Sequence, residues 1–98
     1  MKKIKIGLIG YGNRGRLYSS FIKDMEDKVD FCAVCDNRAN EISDMIMANT
    51  GVKNIYDSDE KFFAADLSLD LVLICSMDQY HYKQANNHIL SIFYCYNS

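Results

Sequence analysis

The sequence predicts an α/β fold built on a doubly wound parallel sheet, and three observations carry that expectation. Apolar, strand-like runs alternate with segments of helical spacing along the chain. The runs are too apolar to leave one face in water, as suits strands covered by helices on both sides. The first run also breaks into a glycine-rich turn that opens a helix.

Taken in order, residues 4–9 form the first strand, and Tyr18, Phe21, Ile22 and Met25 recur at helical spacing after the glycines. Val29-Asp-Phe-Cys-Ala-Val-Cys35 is β-branched and aromatic enough for a buried strand, and Asp36-Asn37 stops it with turn chemistry. Asn40 is the expected cap of a second helix carrying Ile42, Met45 and Ile46, which ends at Gly51 in a left-handed conformation. Residues 53–56 form a short third strand. Asp57 or Ser58 then opens a helix through Phe62 and Phe63, with Asp59 and Glu60 favoured by the helix dipole. Leu71-Val72-Leu73-Ile74-Cys75 reads as a fourth strand and 79–90 as a fourth helix, with Ala85 and Ile89 facing inward. The result is βαβαβαβα with right-handed crossovers, a Rossmann-type sheet of about four βα units in one domain, 1–98.

Composition narrows the function. The 98 residues carry a formal charge of −2, with 49% hydrophobic and 24% charged residues, a globular balance rather than a disordered one. Lys2, Lys3 and Lys5 are the widest basic cluster, so no electrostatic footprint for nucleic acid exists. Lys5 interrupts the apolar start that would otherwise imitate an export signal, and the longest apolar run, 89–96 broken by Ser91, is far shorter than the roughly 20 residues of a membrane helix. A soluble, cytoplasmic protein with reduced thiols is expected, with no membrane partner.

Sheets of this kind bind ligands at the carboxyl ends of their strands. There the sequence places Gly10-Tyr11-Gly12-Asn13-Arg14-Gly15, a G-x-G-x-x-G between strand and helix. Gly10 makes the tight turn, Gly12 lets a pyrophosphate approach the backbone, and Gly15 lets helix and strand pack closely. Asp36 ends the next strand 21 positions beyond Gly15, the spacing expected of a carboxylate that accepts from ribose hydroxyls. Gly10, Tyr11, Gly12, Asn13, Arg14, Gly15, Asp36, Asn37 and Arg38 are therefore candidate cofactor-binding residues. Asp36 favours a free 2′-hydroxyl, hence NAD; Arg38, two residues on, offers a partner to a 2′-phosphate and keeps NADP as the weaker alternative. A methyltransferase fits less well, because Leu8-Ile9 stand where its acidic residue would be.

Cys32-Ala-Val-Cys35 has zinc-ligand or redox spacing, but residues three apart on a regular strand face opposite ways, so core packing is expected. His88 reads as a partly exposed helix residue. His81 lies in the first turn after the fourth strand, where the nicotinamide end of a cofactor would sit.

These residues resemble the glucose-fructose oxidoreductase, inositol dehydrogenase and MocA (Gfo/Idh/MocA) family of NAD(P)-dependent oxidoreductases. The resemblance covers residues 3–91, carried by Ile6-Gly7-Leu8-Ile9-Gly10-Tyr11-Gly12-Asn13-Arg14-Gly15, by Ala33-Val34-Cys35-Asp36, and by Asp70-Leu71-Val72-Leu73-Ile74-Cys75-Ser76 leading to His81-x-x-x-Ala85. It implies that Ser76 and His81 also bind the cofactor, and that the complete enzyme moves a hydride between NAD(P) and a sugar- or polyol-like hydroxyl. The family's Glu-Lys-Pro lysine and its substrate domain have no counterpart here, and the tail 92–98 departs from the pattern. The expectation is a truncated dinucleotide-binding domain, inactive alone, or else a non-catalytic nucleotide-binding module or gene remnant. The fourth strand then faces an open edge. Either the tail 92–96 folds back as a fifth strand or two chains meet along that edge, and the short connection favours self-association.

Overall fold

In the computed structural model, residues 2–65, 67–75 and 91–94 are described. Five parallel strands, β1 (Ile4–Ile9), β2 (Val29–Cys35), β3 (Asn54–Tyr56), β4 (Leu71–Ile74) and β5 (Ser91–Tyr94), lie in the order β3-β2-β1-β4-β5. Helices α1 (Asn13–Asp24), α2 (Ala39–Thr50) and α3 (Asp59–Ala64) join the first four strands. The fourth helix expected over 79–90 lies outside the described residues.

Alternation sorts the side chains into two layers. Leu8, Val34 and Cys75 pack with Ile46 and Val52 on the α2 side, while Ile9, Ala33, Cys35, Val72 and Ile74 pack with Phe62 of α3 on the other. Gly7 faces α3, and a Cβ there would stand 2.6 Å from the Phe62 ring and 2.7 Å from a Leu69 methyl. Phe62 is itself buried and cannot withdraw. Gly7→Ala is expected to cost about 1–3 kcal/mol through overpacking, read as a lower urea midpoint.

The turn of α1 differs from the expected apolar face. Gly15, Ser19 and Ile22 point inward, whereas Phe21 and Met25 are 50% and 42% exposed. The reason is Gly15: it must meet the Gly10 backbone, and positions four and seven residues later follow it inward. Ser19 tolerates burial because its hydroxyl donates to the Arg16 carbonyl at 2.8 Å.

Two of the three expected caps, all on α2 and α3, are found. Gly51 closes α2 at φ 76°, and the Ser58 hydroxyl accepts from the Lys61 N–H at 3.2 Å to open α3. Asn40 does not cap α2. That helix starts earlier, at Ala39 with Arg38 as its N-cap, because the Asp36 carboxylate takes the Arg38 N–H at 2.8 Å and the Asp36 carbonyl takes that of Ala39.

Two expectations fail at the sheet itself. The register between β1 and β2 slips between Ile6 and Gly7, opposite Cys32, so Cys32 packs on the same cluster as Cys35 instead of facing away. An extra residue in one strand inverts the alternation beyond it. Packing still accounts for both thiols: burial pushes Cys35 up to about 12 and raises Cys32, and both are free. The other concerns the β4 edge: of the two outcomes expected there, the structure has the fifth strand, and the edge that was to favour self-association is paired. β5 pairs along it, Leu71 opposite Ser91 through Ile74 opposite Tyr94. Residues 75–90 exceed the dozen or so a parallel crossover needs, and pairing satisfies backbone groups an open edge would leave bare.

Among the described residues no helix is long and apolar enough to cross a membrane.

Candidate functional site

The carboxyl ends of the strands are tied together by backbone hydrogen bonds. The Gly10 N–H donates to the Cys35 carbonyl at 2.7 Å, Cys75 N–H to Ile9 at 2.7 Å, and Asp36 N–H to Tyr56 at 3.0 Å. The carboxyl ends of β1, β2, β3 and β4 thus form a common rim.

Each glycine of the first loop has its own physical reason. Gly10 has φ 95°, in the left-handed region that favours glycine. Gly15 lies so close to Gly10 that a Cβ would collide with the Gly10 carbonyl oxygen and stand 2.9 Å from its carbon. Gly12 is the opposite case. A Cβ there would meet nothing within 4 Å, so the missing side chain leaves open space in front of the helix.

Gly12 is also the N-cap of α1, and no side chain caps that helix. The first-turn N–H groups of a helix lack intrahelical partners and carry the positive end of its dipole. Asn13 and Arg14 are both exposed at this end. The arrangement fits a diphosphate: open approach, free donors, no acidic residue in the first turn. A groove of about 600 Å³ runs from Tyr11 and Asn13 along α1 to Lys23 and Asp24.

Asp36 stands beside this loop. It is 7% exposed, and its Oδ2 accepts from the Tyr11 N–H at 2.7 Å, a bond between the first and second loops. Burial alone would raise its pKa, but the Arg38 side chain together with the Arg38 and Tyr11 backbone N–H groups holds it below the usual carboxylate range. A depressed folded-state pKa means that this stabilisation is present above the unfolded value of about 3.9 and is lost as pH falls through the folded one. Asp36→Asn is therefore expected to cost about 1–3 kcal/mol at pH 7, with the gap to the unmodified chain closing under acid. Urea titrations at pH 7 and pH 3 measure it.

The sequence-derived set is thus brought together in part. Gly10, Tyr11, Gly12, Asn13, Arg14, Gly15, Asp36, Asn37 and Arg38 share one rim, with Asn37 exposed in the turn before α2. Ser76 and His81 lie outside the described residues. Tyr11 contributes more than its side chain suggested: it is 1% exposed, and its N–H and carbonyl both bond the second loop. No residue pattern announces a backbone bond of this kind. Among the described residues no cluster of three or more His, Cys, Asp or Glu could hold a metal.

Residues 4–91 match the GFO_IDH_MocA family model, described as an oxidoreductase family with an NAD-binding Rossmann fold. The chain belongs to this family. It is the NAD-binding Rossmann domain of Gfo/Idh/MocA oxidoreductases. Solved structures agree on the fold. Scyllo-inositol dehydrogenase from Lactobacillus casei, with bound cofactor NAD(H) and scyllo-inositol, is similar at TM-score 0.72 and 24% identity, over 92% of this chain and 28% of that one. WlbA dehydrogenase from Bordetella pertussis, in complex with NADH and UDP-GlcNAcA, follows at 0.66 and 21%, over 76% and 22%. Myo-inositol 2-dehydrogenase from Lactobacillus plantarum stands at 0.66 and 19%, over 76% and 22%. The Gfo/Idh/MocA chain described here thus spans under a third of the length of each. No match was found among curated proteins.

Proposed function

We propose that this Gfo/Idh/MocA domain binds NAD(H) across the carboxyl ends of β1 and β2, within an oxidoreductase that transfers hydride between the nicotinamide and a sugar- or polyol-like hydroxyl. The observation that carries the binding site is Gly12, whose absent side chain leaves the α1 N-terminus open to a diphosphate. In this reading Gly10 and Gly15 hold the loop shape, the N–H groups of Asn13 and Arg14 face the diphosphate, and Asp36 accepts from the adenosine ribose, with Asn37 and Arg38 at its border. The family resemblance assigns Ser76 and His81 to the nicotinamide side. Similar structures are named as inositol dehydrogenases, and one holds a UDP-linked sugar acid, which supports the substrate class.

NAD is the nucleotide expected to bind more tightly. The Asp36 carboxylate bonds a free ribose diol and repels a 2′-phosphate, and its depressed pKa keeps it charged at neutral pH. Calorimetric titration with NAD and NADP tests both halves of the reading. The unmodified chain should favour NAD, and Asp36→Ala should narrow or reverse the preference. Equal or tighter NADP binding by the unmodified chain would overturn the assignment of NAD.

A further inference from the structure

Both oxygens of the Asp36 carboxylate are already engaged. Oδ2 accepts from the Tyr11 N–H at 2.7 Å and from Arg38 Nη2 at 3.4 Å; Oδ1 accepts from the Arg38 N–H at 2.8 Å and from Arg38 Nε at 3.1 Å. An ionised carboxylate offers about four lone-pair sites, so these four donors fill it. Two are backbone groups built into the loops. The other two belong to one side chain, and they sit one on each oxygen.

That pair of positions is what a ribose diol requires, two neighbouring O–H donors reaching two oxygens of one carboxylate. We propose that the Arg38 guanidinium is a gate, standing in for the diol when no nucleotide is bound and swinging off Asp36 to admit it. The proposal rests on the cofactor reading above and adds a cost and a selectivity to it. The same Nη2 donates to the Tyr11 carbonyl at 3.3 Å, so the side chain straps the glycine loop to the corner between β2 and α2, across the ribose position. Arg38 is free to leave, being 52% exposed while its partner carboxylate is 6% exposed. The Tyr11 and Arg38 backbone donors stay in place when it does, so the carboxylate keeps its position and regains one open site on each oxygen.

Removing the guanidinium has opposite consequences for the two nucleotides. NAD loses a competitor for Asp36. NADP loses the cation nearest its 2′-phosphate, so the preference for NAD widens. Ionic strength separates the gate from a merely structural arginine, because salt screens a half-exposed ion pair.

The test is calorimetry on the 98-residue chain and on its Arg38→Ala and Arg38→Lys variants, with NAD and NADP as probes at 20 and 300 mM KCl. Circular dichroism checks each fold. Arg38→Ala is expected to bind NAD about three- to fivefold more tightly at low salt, and to lose any rise in NAD affinity that salt produces in the unmodified chain. Arg38→Lys, a point charge without the fork that reaches both oxygens, should fall between the two. Unchanged or weaker NAD binding by folded Arg38→Ala overturns the gate and leaves the cofactor reading standing. Failure of all three chains to bind either nucleotide overturns the cofactor reading, and the gate with it.

Discussion

Gly12→Val is expected to abolish NAD binding, by about 100-fold or more, while the circular dichroism spectrum stays native. The added Cβ meets no protein atom within 4 Å, so the fold has nothing to yield. What it does meet is the space through which a diphosphate would approach the α1 N–H groups. Gly12 sits at φ −85° in extended backbone, which valine adopts readily. The stability cost is confined to exchanging a tolerated N-cap residue for a poor one, about 1 kcal/mol or less. Calorimetry with NAD and a thermal melt on the same sample check the two halves. Unimpaired binding would show that the diphosphate lies elsewhere.

Gly15→Ala, three residues on in the same motif, is expected to do the reverse. Its methyl would collide with the backbone of Gly10, which the left-handed turn at φ 95° holds in place. No side-chain rotation relieves that contact, so α1 must lift from β1 and uncover Leu8 and Ile22. An overpacking cost at the upper end of the usual range, about 3 kcal/mol, is a large share of the roughly 5–15 kcal/mol that holds small domains folded. For a domain this size it lowers the melting temperature by about 12–24 °C. A Gly15→Ala chain that melts within 2 °C of the unmodified one would contradict the close packing. Two glycines in one motif thus answer to different forces, one to the ligand and one to the fold.

Much of this site is legible in the sequence because its constraints are local. A left-handed turn demands glycine at position 10, and the run from Gly15 to Asp36 measures one helix and one strand. Gly51 and Ser58 are legible for the same reason, since a helix end needs particular atoms within a few residues. What stays hidden depends on distant partners. Gly7 looks like an ordinary interruption of an apolar run until Phe62 and Leu69 arrive across the sheet. The outward turn of Phe21 and Met25 is set by Gly15 meeting Gly10, and apolar periodicity carries no trace of it. The register slip at Cys32 inverts a face without altering composition. Asp36 is readable as a ribose ligand, but its engagement with Arg38 and Tyr11 depends on where two loops meet.

The strand order has a consequence for how the chain is made. β1 occupies the middle of the sheet, yet one of its neighbours, β4, is encoded some 65 residues later. On a ribosome adding roughly 5–20 residues each second, β1 waits about 3–13 s for that partner. β2 arrives early and can pair with the other side. Until Leu71–Ile74 emerges, the carbonyl of Ile9 has no Cys75 N–H to receive, and Lys5 has neither the Asp70 carboxylate nor the Leu67 carbonyl to hold it. The nascent chain thus carries a bare apolar ribbon at what will become its centre, open to chaperones or to neighbouring nascent chains for the length of that delay.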